Sequence, residues 1–487
     1  MENTKTKAAD QFIKANKSKL NTQYRLNYHL MGEFGWINDP NGFIFYRDKF
    51  HLFYQHYPYE SVWGPMHWGH ATSDDLIQWE YQPIALAPDT EFDKDGCFSG
   101  SSLEKDGMLF MIYTGHSYIN QDKSKYRQTQ GMAYSKDGIH FIKYEGNPIL
   151  GIDQIPEDAS KEDFRDPKVI YAEGFYYMLV GSKDGKDQGQ VLLYQSKDLL
   201  HWEFVNILIK GDKNTGVNWE CPDVFQLQGK DILIVSPQYM KAQGNDYHNL
   251  HSSIYFIGEL NLKEGIFTSS KYAPIDYGFD FYAPQTAIDH KGRRIMIGWM
   301  DMWESEMPTQ SRGDHWAGAM TLPREVILKD NKLFLKPIDE IKKYRQNQYI
   351  LEYLELIGEN FLNTTGDCYE LNAVFEPKNS EEFGFKLRAS KNEETVLSYS
   401  VKDKLFKFNR DHSGIGPRGE RKTNMDLINN QLSLRIFVDK SSVEIFLNNG
   451  EKVMSGRIYP GEDAIHIKAF SKGGSAILSL EKWDIVL

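Results

Sequence analysis

The sequence predicts an all-β protein, a five-bladed β-propeller over residues 22–335 followed by a C-terminal β-sandwich over residues 350–487. Three observations carry this prediction. Short aromatic-rich apolar runs recur at Phe50–Tyr54, Met108–Tyr113, Phe175–Val180, Asp231–Val235 and Arg294–Trp299, roughly 55 to 70 residues apart. A second element, Ser-x-Asp, a small turn and then an aromatic residue, follows the first three runs as Ser73–Trp79, Ser135–Phe141 and Ser196–Trp202. After Leu335 the texture changes to alternating stretches such as Leu432–Val438 and Val443–Leu447, the pattern of half-buried strands. Five copies of a several-stranded unit suit a propeller. A sandwich of ten or more strands is the alternative for the same residues, and the regular spacing disfavours it.

Residues 1–21 read as a polar, helix-prone N-terminal extension. They hold no apolar stretch of the kind a secretory signal carries, and no run of 18 apolar residues occurs in the chain. A cytoplasmic location with no membrane partner is the expectation. The repeat then fills residues 22–335, with turn-prone stretches such as Lys105-Asp106-Gly107 and Ala172-Glu173-Gly174 ahead of individual runs. Residues 336–349 read as a helical or irregular linker. In the final domain Asn448-Asn449-Gly450 is a plausible hairpin turn.

Composition narrows the function classes. A net charge of −12 disfavours a nucleic-acid surface, and the densest basic stretch, Gly416–Lys422, is a short polar loop. Three cysteines, Cys97, Cys221 and Cys368, have neither disulfide-framework nor metal-site spacing, which fits a reducing compartment. Aromatic residues reach 14% of the chain, and most of them are accounted for as strand and core residues.

Three acids stand out by their phase in the repeat. Asp39 lies in Trp36-Ile37-Asn38-Asp39-Pro40-Asn41-Gly42, Asp166 in Arg165-Asp166-Pro167 and Glu220 in Trp219-Glu220-Cys221-Pro222-Asp223. Each precedes its apolar run by about ten residues, where the second and fifth copies carry Phe98-Ser99-Gly100-Ser101 and Tyr282-Ala283-Pro284-Gln285. If these segments begin the innermost strands, all five converge at one end of the central channel. Taken singly, Asp-Pro and Asn-Gly are turn formers and Glu220 could be a surface residue. The shared phase is what singles the acids out.

These five motifs, in this order, resemble those of glycoside hydrolase family 32, which includes invertases, sucrose-6-phosphate hydrolases, inulinases and levanases. The similarity runs along nearly the whole chain, including Ser441–Phe446, and the one departure in the motifs is Ile37, where Met is usual. The resemblance implies a propeller followed by a sandwich, and an enzyme that needs no cofactor and no metal. It implies retaining hydrolysis of terminal β-D-fructofuranosides such as sucrose, sucrose 6-phosphate or short fructo-oligosaccharides. In that chemistry Asp39 is the nucleophile, Glu220 the general acid/base and Asp166 the transition-state stabiliser. Such an enzyme uses one ionised carboxylate and one protonated acid about 5–5.5 Å apart. Three clustered carboxylates cannot all ionise freely, so Glu220 is expected to hold a proton while Asp39 stays charged.

Arg165 is expected to fix Asp166 or the sugar hydroxyls. Trp36, Asn38, Gln55, Trp63, Phe98, Ser99, Tyr282 and Trp299 complete the expected sugar-binding set. His67 and His70 read as structural hydrogen-bonding residues rather than metal ligands, since no zincin-type Glu lies between them. Gly96-Cys97-Phe98-Ser99-Gly100 is not a nucleophile elbow, because its serine is displaced by one position. The rivals are an exo-acting fructan hydrolase or a fructosyltransferase on the same framework, and a non-catalytic sugar-binding propeller. The last would be expected to lack one of the three acids. The sequence says nothing of oligomeric state or of the preferred leaving group.

Overall fold

The computed structural model describes residues 4–269 and 271–487; residues 1–3 of the N-terminal extension lie outside the described residues. Five antiparallel sheets stand around a central channel, their innermost strands being Gly35–Tyr46, Gly96–Lys105, Phe164–Ala172, Asn218–Leu227 and Tyr282–Ile288. Each innermost strand packs beside the next, and the fifth packs back on the first, which closes the ring. A short strand, Trp316–Ala317, adds a parallel pairing to the first.

The recurring apolar runs form the second strand of each blade. Such a strand is covered on both faces by neighbouring blades, which is why it reads as a continuous apolar run. The Ser-x-Asp elements are the tight turns before the outermost strands of the first three blades. In the first, Ser73 Oγ accepts from the Leu76 amide at 2.8 Å, and Asp75 Oδ1 from the Ile77 and Gln78 amides at 3.0 Å each. Ser135 with Asp137 and Ser196 with Asp198 repeat the arrangement.

Helix Thr4–Asn16 lies outside the first blade, burying Ala9 and Ile13. Asp10 there accepts the Ile84 amide of that blade's outer strand at 3.0 Å. The fifth blade ends at Pro337 and a 3-10 segment, Asp339–Tyr344, follows. Strand Arg345–Thr365 starts inside the stretch read from sequence as linker. Partnership with strand His466–Ile485, through pairs such as Arg345 with Ile485, draws those residues into a ladder.

The C-terminal domain is a ten-stranded hydrogen-bonded set. It folds over on itself, since Leu371, Phe375, Phe383, Phe385, Leu434, Ile436, Val443 and Ile445, from strands on both sides of the long His466–Ile485 strand, share one buried cluster. That is a sandwich core, with alternate residues of each strand pointing inward. A separate cluster spans the two domains, joining Phe437, Phe446, Val453 and Ile485 to Ile295, Ile297, Leu322 and Leu335 of the propeller.

Candidate active site

All five innermost strands break register at the same phase. Their ladders slip between Ile37 and Pro40, Phe98 and Gly100, Arg165 and Lys168, Glu220 and Asp223, and Tyr282 and Gln285. Proline has no N–H for the ladder, and Pro40, Pro167, Pro222 and Pro284 occupy these bulges in four of the five strands. In three of them the residue before proline is left-handed: Asp166 at φ 64°, Cys221 at 47° and Ala283 at 49°. A bulge re-aims side chains that a regular pleat would send into the blade. Here it turns the acids into the channel.

They line a cavity of about 320 Å³. Of the residues singled out from sequence, Asp39, Asp166, Glu220, Asn38, Gln55, Trp63, Phe98, Ser99 and Arg165 face it together. Asp39 is held from several sides. Ser99 Oγ donates to its Oδ2 at 2.6 Å, Asn38 Nδ2 to its Oδ1 at 3.1 Å, and the Cys221 thiol lies 3.5 Å from Oδ2. The same sulfur is 3.6 Å from Asp166 Oδ2, and the Cys221 amide donates to that oxygen at 3.1 Å. Burial, reinforced by the surrounding carboxylates, pushes the Cys221 thiol far up. It therefore stays protonated and serves as a weak donor rather than a nucleophile.

Arg165 is fastened to Glu220 rather than to the neighbouring Asp166. Its Nε donates to Glu220 Oε1 at 3.0 Å and its Nη2 lies 2.9 Å from the same oxygen, while Nη1 meets Asp163 at 2.7 Å and Gln128 at 3.0 Å. Glu220 Oε2 accepts from the Tyr282 hydroxyl, which also lies 3.0 Å from the Ser236 carbonyl. That hydroxyl has a single proton, so it can turn between the two acceptors as Glu220 gains or loses its own.

Burial dominates the electrostatics of the aspartates. Burial raises Asp39, opposed by the Ser99 hydrogen bond and reinforced by the Glu220 charge. Asp166 is pushed up to about 7, first by burial and then by Glu220, with Arg165 only partly offsetting them. From sequence, Arg165 was expected to fix Asp166 or the sugar hydroxyls. The guanidinium instead points at Glu220 and Asp163.

Trp36, Tyr282 and Trp299, expected among the sugar-contacting residues, do not line the cavity. Trp36 is buried and donates to Asn38 Oδ1 at 2.8 Å, so it supports a lining residue from behind. Trp299 is fully buried against Trp36 and Trp303, at ring separations of 5.8 and 5.0 Å. Trp303, four residues on in the loop beyond Trp299, faces the cavity instead. Tyr282 reaches the site only through Glu220. His116, Tyr118, Lys123, Tyr126, Gln128, Gln238 and His251 also line the cavity and were not singled out from sequence. Most of them sit beyond the bulge motifs, on second and third strands or on loops, where the repeat gives no signal.

His67 and His70 are buried, His67 Nδ1 at 2.9 Å from the Pro65 carbonyl and His70 Nε2 at 3.1 Å from His51. Among the described residues no group of three His, Cys, Asp or Glu side chains is arranged to hold a metal ion. The three cysteines are free, and no described helix is long and apolar enough to cross a membrane.

The model of the glycosyl hydrolases family 32 N-terminal domain matches residues 29–337, and that of the family 32 C-terminal domain matches residues 340–484. The chain is 40% identical over 475 residues to a sucrose-6-phosphate hydrolase of Escherichia coli, covering 97% of this chain and 96% of that one. It is 37% identical to a raffinose invertase of Escherichia coli, with 94% of each covered. Among solved structures, a family 32 β-fructofuranosidase of Bombyx mori in complex with sucrose superposes with a TM-score of 0.88 at 36% identity, covering 100% of this chain and 99% of that one.

Proposed function

The chain belongs to glycosyl hydrolases family 32, and on that premise we propose that Asp39, Glu220 and Asp166 share the labour of its reaction as nucleophile, acid/base and stabiliser. It is a glycoside hydrolase of the β-fructofuranosidase type, releasing fructose from terminal β-D-fructofuranosides. The observation that carries the assignment of roles is the convergence of three carboxylates from three innermost strands on one cavity.

The chemistry follows from how each acid is held. Asp39, with hydrogen bonds from Ser99 and Asn38 fixing both its oxygens, attacks the anomeric carbon of the fructosyl unit. Glu220 gives a proton to the departing oxygen, and the fructosyl group passes to Asp39 as an ester. Water then enters, Glu220 takes its proton, and the ester is hydrolysed with overall retention. Throughout, Arg165 holds one oxygen of Glu220, and the Tyr282 hydroxyl donates to the other when Glu220 is ionised, so the acid keeps one orientation while its charge changes. Asp166, held by the Cys221 amide, faces the ring hydroxyls and tightens on them as positive charge develops. Phe98, stacked on His116 at 4.4 Å, and Trp63 offer the sugar apolar walls.

Sucrose, sucrose 6-phosphate and short fructo-oligosaccharides are the substrates proposed, with a cytoplasmic location suited to a phosphorylated sugar. Asp39→Asn and Glu220→Gln should each lower kcat by about a thousandfold or more with the melting temperature little changed. Azide should restore turnover of Glu220→Ala on a substrate with an activated leaving group. Near-normal hydrolysis by either of the first two variants would remove the assignment.

A further inference from the structure

Trp303 reaches the catalytic cavity from the loop that follows the second strand of the fifth blade. Its ring lies 5.0 Å from Trp299 and 5.7 Å from Trp36, yet it is 36% exposed, so ring packing holds it on one side only. The backbone beneath it is held more firmly. The Met300 amide donates to the Ala319 carbonyl at 2.7 Å. The Ser305 amide closes a turn on the Met302 carbonyl at 3.1 Å, with Trp303 at its first corner. Asp301 Oδ1 accepts the Met302 amide at 2.8 Å and so fixes the entry to that turn.

Asp301 itself is buried where the two domains meet. The charges that act on it are Asp280 of the propeller and Arg457 and Arg410 of the sandwich. Asp280 Oδ2 accepts from Arg410 Nη1 at 2.6 Å and from the Arg457 amide at 2.7 Å. Arg410 Nη1 also meets the Arg457 carbonyl at 3.1 Å, and Arg457 Nε and Nη2 donate to the Ser441 carbonyl and hydroxyl at 3.0 Å each. Both arginines are thus locked in place with donors to spare.

The spare groups are complementary. On the sandwich side Arg410 Nε, Arg457 Nη1 and the Tyr459 hydroxyl are buried without a hydrogen-bond partner among the described residues. On the propeller side the same holds for Asp280 Oδ1 and Asp301 Oδ2. Tyr459 feels the charges of Arg457, Asp301, Asp280 and Arg410, which puts it in the same cluster. Donors on one side and carboxyl oxygens on the other are the arrangement that buried water joins. Burial, with Asp280, pushes Asp301 up to about 8 against the pull of Arg457 and Arg410. A neutral carboxyl can give its proton toward Asp280 and still accept from the sandwich donors.

We propose that Asp301 is a positioning residue for the catalytic cavity: one oxygen holds the turn that carries Trp303, and the other answers to Arg457, Arg410 and Tyr459, so that the sandwich sets where Trp303 stands against the bound sugar. The inference rests on the β-fructofuranosidase reading. Asp301 does not line the cavity, so it acts through Trp303. By itself the cluster would only join the domains; the Met302 amide, one residue from Trp303, is what links it to the site.

The test uses the full chain and measures kcat and KM on sucrose. The proteins are the native one, Trp303→Ala, Asp301→Ala, Tyr459→Phe, and the two doubles that add Trp303→Ala to each of the latter. Asp301→Ala should raise KM about tenfold with kcat within about twofold of native, the signature of lost binding rather than lost chemistry. In the Trp303→Ala background the same change should cost less than about twofold, because the side chain it positions is gone. Tyr459→Phe removes one sandwich hydroxyl that no described residue binds, and should raise KM about threefold only while Trp303 is present. It carries the test alone if Asp301→Ala does not fold. An equal rise in KM with and without Trp303, a loss confined to kcat and melting temperature, or a native KM in Tyr459→Phe overturns the inference. The cluster is then a bond between domains and nothing more, while the fructosidase reading stands. Absence of fructose from the native protein overturns the two together.

Discussion

Asp166 shows how far one side chain departs from its solution chemistry when function places it. Its backbone is left-handed, its carboxyl is buried, and the guanidinium beside it in sequence is turned elsewhere. The carboxyl rises from an ordinary 3.8 to about 7 because burial and the Glu220 charge both disfavour the anion. A carboxyl raised on folding adds stability that is complete below about pH 4 and is lost as the pH rises through 7. Removing its charge should therefore stabilise the fold only in neutral and alkaline solution. We expect Asp166→Asn to melt close to the native protein at pH 4 and above it at pH 8. About three pH units at 1.4 kcal/mol each set an upper bound of about 4 kcal/mol. Activity should collapse in the same variant. A melting difference independent of pH, measured by calorimetry across that range, would show that Asp166 carries no such strain.

The element that makes the site is the bulged innermost strand. Four of the five bulges use proline to interrupt the ladder, and the second uses Ser99-Gly100. The reason lies in the packing. A Cβ on Gly100 would stand 2.1 Å from the Ile112 carbonyl oxygen and 2.6 Å from the Tyr113 Cα, both backbone atoms of the adjoining strand. Only glycine lets the two chains approach this closely while Ser99 reaches Asp39. Gly100→Ala should cost about 1–3 kcal/mol by forcing the strands apart, and should lower kcat by displacing Ser99. The check is a melting curve beside a sucrose assay. A variant as stable and as active as the native protein would mean that this close approach is dispensable.

At the scale of the molecule, the two domains are joined by buried ions as well as by apolar surface. His29, in the segment leading into the first blade, places Nδ1 2.8 Å from Asp439 and Nε2 2.9 Å from Glu444 of the sandwich. Both ring nitrogens can donate only if the ring is charged. Glu444 also meets Arg324 at 2.6 Å, and Arg410 pairs with Asp280 at 2.6 Å. Burial works against the imidazolium, but the hydrogen bonds and charges of Asp439 and Glu444 outweigh it and raise His29 above its ordinary 6.5. The stability from this group is thus full below pH 6.5 and fades as the pH climbs through the raised value. His29→Gln should lower stability by about 3–5 kcal/mol at pH 6 and by less at pH 9. An equal loss at both values, read from denaturant midpoints, would mean that His29 is neutral and acts by packing alone.

By itself the sequence determined the fold class, the five-fold repeat and the three acids. These are periodic or local features: an apolar run every blade, a Ser-x-Asp turn before an outer strand, an acid one or two steps before a proline. Each blade must bury the same surface as its neighbour, so each repeats the signal. The tertiary structure alone decided which way the bulged side chains face, and hence that Arg165 serves Glu220 rather than Asp166. It decided that Trp303 lines the cavity while Trp299 supports it from behind, and it brought Lys123 and the buried His251 to the same cavity. Those positions lie in hairpins and loops that meet only once the ring has closed. Contacts between residues far apart in the chain follow from how blades pack against each other, and no periodicity in the sequence records them.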